Sequence, residues 1–335
     1  MNGEPLMGGG LLEVRNLTIR FPAGRERASD TVPVAGVDLD LARGEILALV
    51  GESGSGKSLT GLALLGLVPH PGRIGSESRI RLEGQELTGL KGEALRAIRG
   101  RRIAMVFQDP LTSLTPVLTI GTQLREALTA HRKLPRAEAR RRGQALLAEV
   151  GMPDPATGYD AYPHELSGGL RQRALIAIAL AGEPELLIAD EPTSALDVTI
   201  QAQILEMIDR LRANRGMAVL LITHDLGIVA GRADRVVVMY AGQIIERRAT
   251  LALFRSPGHP YTRALLKAIP RLDTAALELT TIPGSVPHPG EWWTGCRFQP
   301  RCGEALARCA TENPPAVPLA AQGMSRCWLP AEPEP

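Results

Sequence analysis

Four short apolar runs stand out along the chain, at 46–50 (Ile-Leu-Ala-Leu-Val), 186–189 (Leu-Leu-Ile-Ala), 219–222 (Val-Leu-Leu-Ile) and 236–239 (Val-Val-Val-Met). None contains a polar position, which is the pattern of strands buried on both faces in a parallel sheet rather than the alternation of a half-solvated one. The run at 46–50 leads into a glycine-rich turn and then a helical stretch at 58–67, as a strand feeding a helix would. Between 110 and 180 the apolar positions change to helical spacing with charged faces, among them Arg136-Ala-Glu-Ala-Arg-Arg-Arg142. That arginine cluster reads as a solvated helix face rather than a nucleic-acid site. The pattern predicts an α/β domain with a parallel sheet and a mostly helical insertion over 110–180.

Length adds a domain count. With 335 residues, the chain has room for about two domains. All four cysteines and all three tryptophans lie beyond residue 290, and eleven of the 26 prolines fall in 270–335, so long helices and central strands are not expected there. A domain edge is therefore placed near 270. Lys+Arg of 38 against Asp+Glu of 36 leaves a net charge of +2, which names no partner and gives no reason to expect nucleic acid. The longest apolar runs, 174–181 and 218–222, fall well short of the roughly 18 residues that a membrane-spanning helix needs. Residues 1–10 lack the basic and apolar regions of a secretory signal, so the chain is expected in the cytosol, where thiols stay reduced.

The candidate chemistry begins at the glycine-rich turn. Gly51-Glu-Ser-Gly-Ser-Gly-Lys-Ser58 fits the phosphate-loop pattern, after an expected strand and opening an expected helix. In such a loop the backbone of Gly51, Ser53, Gly54, Ser55 and Gly56 converges on phosphate oxygens beside the positive end of the helix that Leu59 continues. Lys57 would reach the β and γ phosphates of ATP, and the Ser58 hydroxyl would ligate Mg2+. The strand at 186–189 ends in Asp190 and Glu191, which suit a Mg2+ ligand and a base that polarises the attacking water.

The segment Leu166-Ser-Gly-Gly-Leu-Arg-Gln172 resembles the signature sequence of ABC-type ATPases, and other elements follow in that family's order. Gln108 in Val106-Phe-Gln-Asp-Pro110 resembles its Q-loop, Ser194-Ala-Leu-Asp197 its D-loop, and His224 in Thr223-His-Asp225 its switch histidine. The resemblance implies a phosphate-loop ABC-type nucleotide-binding domain over 11–255 with a helical subdomain. It also implies that Gln108 shares the Mg2+ with Ser58 and Asp190, and that Glu191, His224, Gln108 and Lys57 carry catalysis. It further implies a head-to-tail dimer in which Ser167, Gly168 and Gly169 of one subunit close over the nucleotide of the other, near Asp197. Phe21 in Thr18-Ile-Arg-Phe21 is similar in position to the aromatic residue that stacks on adenine, and a strand-edge core residue is the alternative.

Three features refine the resemblance to peptide importers. His259-Pro-Tyr-Thr-Arg-Ala-Leu-Leu266 looks like the segment after their ATPase core, and Gln108-Asp-Pro-Leu-Thr-Ser-Leu114 like their extended Q-loop, with Thr115 where Asn is common. Gly295-Cys-Arg-Phe-Gln-Pro-Arg-Cys302, with Cys309 and Cys327, looks like their C-terminal region, giving a second, small and irregular domain over 256–335. Spacing of C-x5-C-x6-C-x17-C is not that of zinc ribbons. Four thiolates in a cytosolic protein suit either an iron–sulfur cluster or Zn2+, and a metal centre would supply folding energy that a tail with little apolar periodicity lacks; unligated structural cysteines are the alternative. The resemblance implies a [4Fe–4S] cluster for this cysteine pattern. The resemblance implies a peripheral ATPase on the cytoplasmic face of the inner membrane, partnered by two transmembrane permease subunits and a second ABC ATPase, homologous or identical. An extracytoplasmic binding protein would deliver di- or oligopeptides. A nickel or other small-solute importer, and a soluble nucleic-acid-associated ABC ATPase, are the competing functions.

Overall fold

The apolar run at 46–50 is the strand Ile46–Val50, with all five residues buried. It belongs to a computed structural model that describes residues 10–23, 30–194, 196–269, 282–320 and 323–329. The chain folds as two compact units, one built from the described residues of 1–42, 46–88 and 222–335, the other from those of 43–45 and 89–221.

The first unit holds two sets of strands. In one, the antiparallel strands Thr31–Leu41, Leu12–Phe21, Arg79–Leu82 and Gln85–Glu86 lie in that order, and Arg73–Ile74 also pairs with Leu12–Phe21. Leu12, Val14, Leu17 and Ile19 bury one face of the central strand, and a register shift between Val14 and Leu17 keeps the two pairs in phase. This sheet is an addition to the parallel sheet expected from the sequence. In the other set, Ile46–Val50 pairs in parallel with Arg235–Tyr240, and Gln243–Ala249 and Gly323–Ser325 continue it antiparallel. Each fully buried Leu or Val here contributes roughly 1.5–3 kcal/mol, so the strand is held by burial on both faces.

The C-terminal part of this unit starts with the helix Pro260–Lys267, whose first turn is capped by the His259 imidazole: its Nδ1 accepts the Tyr261 N–H at 3.0 Å. Burial pushes His259 down to about 3, so the ring stays neutral and keeps its acceptor. Among the described residues past 282, turns and short 3-10 segments precede the short strands Val317–Leu319 and Gly323–Ser325, and Phe298 packs edge-on to Tyr240 and Tyr261 at centroid distances of 5.3 Å each.

In the second unit the strands Leu186–Asp190 and Ile103–Val106 pair in parallel, and the strand Ala218–Thr223, which belongs to this unit as far as Leu221, lies next to Leu186–Asp190. Four helices surround the signature region: Ile120–Thr129, Arg136–Glu149, Gly168–Leu180 and Val198–Arg215. Thr119, Ser167 and Asp197 each accept a backbone N–H of the turn they precede, which fixes three of the helix starts. The arginine cluster lies on an exposed face, where Arg141 and Arg142 pair with Glu138 and Arg140 with Asp160. Among the described residues no helix is long and apolar enough to cross a membrane.

Candidate nucleotide site

In the first unit the turn after Ile46–Val50 wraps the amino end of the helix Lys57–Leu64. Gly56, just before that helix, has φ of 106°, and a Cβ there would stand 2.8 Å from the Pro33 carbonyl oxygen, so only glycine fits. Lys57 is buried to 5% exposure, and its Nζ donates to the carbonyl oxygens of Gly51 at 2.7 Å and Glu52 at 2.9 Å. Ser53 and Gly54 are exposed at the rim, Ser58 and Leu59 half-buried in the first helical turn. Ser55 is fully buried, and its hydroxyl oxygen finds no hydrogen-bond partner among the described residues. A buried hydroxyl is expected to be satisfied, so this one fits a loop shaped around a polar ligand. His224 is exposed after the strand Ala218–Thr223, and Phe21 is half-buried at the end of Leu12–Phe21 with its ring edge against Gly72.

The second unit assembles the other expected groups. Asp190 ends the strand Leu186–Asp190 at 5% exposure. Glu191 follows with φ of 45°, a left-handed backbone that Glu83 and Glu183 also adopt elsewhere in the chain. Its Oε2 accepts the Gln108 amide at 2.8 Å, so the structure brings these two together. The Ser194 hydroxyl donates to the carbonyls of Gln108 at 3.2 Å and Glu191 at 3.0 Å, tying both loops. Ser167 and Gly168 are exposed at the start of Gly168–Leu180, and a Cβ on Gly169 would stand 2.8 Å from Ile200. Asp197 accepts the Ile200 N–H at 3.0 Å, joining the same corner. Residue 195, within the D-loop motif, lies outside the described residues.

Sequence reasoning missed three contributors to the phosphate loop. The Glu52 N–H donates to the Tyr261 hydroxyl at 2.9 Å, and the Glu52 carboxylate is held by Arg301, 249 residues away, whose guanidinium also meets the Tyr240 hydroxyl. Glu52 occupies a position that the loop pattern leaves open, and no spacing in the sequence connects it to Arg301.

The expected iron–sulfur or zinc centre is corrected by the structure. Among the described residues no group of three or more His, Cys, Asp or Glu side chains converges to hold a metal ion. Cys296, Cys302, Cys309 and Cys327 are free thiols. They line one cavity of about 10 Å³, measured to the centre of a water-sized sphere, which is room for about one water molecule. Burial pushes the Cys296 thiol up to about 11 and raises Cys302 and Cys327. The tail is held instead by aromatic and cationic stacking: the Phe298 cluster, Arg297 over Trp292 at 3.7 Å and Arg308 over Trp328 at 3.3 Å.

Comparison with known proteins completes the description. A dimeric ATP-binding cassette in a post-hydrolysis state with ADP and phosphate bound superposes with a TM-score of 0.62 at 26% identity, covering 71% of this chain and 98% of that one. CbiO1 of Clostridium perfringens gives the same TM-score and identity, over 74% of this chain and 91% of its own. The oligopeptide transport ATP-binding protein AppD of Bacillus subtilis is 48% identical over 320 residues, 95% of this chain and 96% of its own. The dipeptide transport ATP-binding protein DppD of Escherichia coli is 44% identical over 325 residues, 96% of this chain and 97% of its own. Residues 34–194 match the ABC transporter family, and residues 245–309 match the oligopeptide/dipeptide transporter C-terminal region.

Proposed function

The chain belongs to the ABC transporter ATP-binding subunits of the oligopeptide/dipeptide kind, and from that premise we propose that it hydrolyses ATP to drive uptake of di- or oligopeptides through a membrane permease. The family uses ATP with Mg2+. The observation that supports hydrolysis most directly is the Gln108–Glu191 hydrogen bond at 2.8 Å, which orients a carboxylate at the end of a buried strand through a neutral amide. Peptide as the transported solute is supported by near-full-length likeness to AppD and DppD.

The roles follow from the chemistry of each group. Lys57 binds the β and γ phosphates, with the backbone of Gly51 to Gly56 donating to their oxygens. Ser58, Asp190 and Gln108 offer the hard oxygen ligands that Mg2+ takes, and the ion would neutralise charge on the phosphates when bound. Glu191 accepts a proton from the attacking water, and His224 hydrogen-bonds the γ-phosphate end. Phe21 stacks on adenine. Ser167 and Gly169 of a second ATPase, with Asp197 beside them, close over the nucleotide, so turnover depends on assembly. Two permease subunits, an extracytoplasmic binding protein and a partner ATPase complete the importer, which puts this subunit at the cytoplasmic face of the membrane.

The test is uptake of labelled dipeptide and of nickel in cells lacking this chain, complemented with wild type or Glu191→Gln. Dipeptide uptake restored by wild type alone is expected. Nickel uptake restored without peptide uptake would overturn the substrate.

A further inference from the structure

The phosphate loop is gripped from outside by the C-terminal region. Glu52, its second residue, has every polar group engaged: its N–H by the Tyr261 hydroxyl, its carbonyl by Lys57 Nζ at 2.9 Å, its carboxylate by Arg301. The Arg301 pairing is bidentate, at 3.0 Å from Nη1 to Oε1 and 2.9 Å from Nη2 to Oε2. Two parallel charge-assisted bonds fix both position and angle. The Arg301 side chain is only 6% exposed, and its other hydrogen bonds go to the Tyr240 hydroxyl and the carbonyls of Ile282, Pro283 and Gly284. Burial alone would pull Arg301 down, and Glu52 with Tyr240 more than reverses this, so the guanidinium stays firmly charged.

A second tether acts on the other side of the loop. Arg297 donates to the Ala241 carbonyl and stacks on Trp292, and Trp292 packs so closely on Gly242 that a Cβ there would lie 2.3 Å from its ring. Gly242 in turn donates its N–H to the Ser55 carbonyl at 2.9 Å. Residues 292–301 thus reach the phosphate loop at Glu52 directly and at Ser55 through one turn.

The chemical consequence lies in Glu52. A carboxylate in a loop built to attract a polyphosphate repels its own ligand unless its charge is cancelled. We propose that Arg301 is a positioning residue for the nucleotide site, holding Glu52 and cancelling its charge, so that the C-terminal region sets the affinity of the phosphate loop for ATP. This rests on the nucleotide-binding reading above and adds to it a role for the tail.

The experiment measures Mg-ATP binding by the full-length chain, and the KM and kcat of the assembled transporter, for wild type, Arg301→Gln, Glu52→Gln and the double variant. Arg301→Gln weakens binding roughly tenfold and raises KM alike, with kcat at saturating ATP within about twofold. The double variant, which removes the carboxylate along with its partner, returns affinity to within about threefold of wild type. A purely structural Arg301 gives no such rescue, so a double variant no tighter than Arg301→Gln overturns the proposal, as does unchanged binding by Arg301→Gln. Should Arg301→Gln fail to fold, Glu52→Gln alone carries the test: binding at least as tight as wild type is expected, and binding severalfold weaker contradicts charge cancellation. Wild type that binds no ATP would overturn the nucleotide reading and this proposal together, whereas wild-type binding with an insensitive Arg301→Gln overturns this one alone.

Discussion

The phosphate loop and the cysteine-bearing tail are the two stretches with the most distinctive residues, and they behave oppositely. The loop has a glycine in a left-handed backbone at Gly56, a buried lysine, and a buried hydroxyl at Ser55 that finds no hydrogen-bond partner among the described residues. The tail gathers four cysteines around a cavity that admits about one water, and burial raises the thiols of Cys296, Cys302 and Cys327. Residue type alone does not make a site: the loop's residues come with a spacing and a strand-to-helix context, whereas the cysteines come with neither. The tail's chemistry lies in its arginines, and Arg301 carries it to the loop.

Breaking the loop gives the largest effect. Lys57→Ala removes the buried ammonium and is expected to reduce ATP affinity on the order of a hundredfold or more, measured by titration with a fluorescent nucleotide; near-wild-type affinity would mean the loop holds no phosphate. Glu191→Gln in the assembled transporter is expected to keep ATP binding while kcat falls by about two orders of magnitude, read from steady-state phosphate release. Turnover close to wild type would move the base elsewhere.

A smaller effect separates the tail's frame from its thiols. His259 is neutral when folded, with its value pushed from 6.5 down to about 3 by burial. Between those values the unfolded chain binds a proton that the native chain does not, so stability rises with pH across this window. It is fully present above about 6.5 and is lost as pH falls toward 3, by up to about 1.4 kcal/mol per unit. Thermal unfolding at pH 7.5 and 5.0 checks this: His259→Asn, which keeps a capping acceptor without the titration, is expected to flatten the slope. An unaltered slope would assign acid sensitivity to other groups. The smallest effect is expected at Cys309, the buried cysteine. Cys309→Ala costs about 1 kcal/mol and leaves ATP affinity within twofold, and a tenfold loss of affinity would restore a functional role to the thiols.

The fold class was legible because buried parallel strands write themselves as unbroken apolar runs, and Ile46–Val50, Leu186–Asp190, Ala218–Thr223 and Arg235–Tyr240 are all strands. The antiparallel sheet was not, because Leu12–Phe21 interrupts its alternation at a register shift and Thr31–Leu41 carries proline and glycine within it. The partnership of Gln108 with Glu191 is readable only through family order, since the two lie 83 residues apart. Arg301 and Glu52 left no trace at all: a long-range ion pair has no period, and one partner stood at an open position of a motif while the other was overshadowed by neighbouring cysteines.

The measurement that tests the central claim most directly is ATP hydrolysis by the complete transporter in proteoliposomes, with binding protein supplied empty or loaded with dipeptide. Peptide-loaded binding protein is expected to raise phosphate release severalfold, with labelled peptide accumulating in step and neither seen in Glu191→Gln. Hydrolysis that ignores peptide, or that proceeds undiminished in Glu191→Gln, would contradict the account.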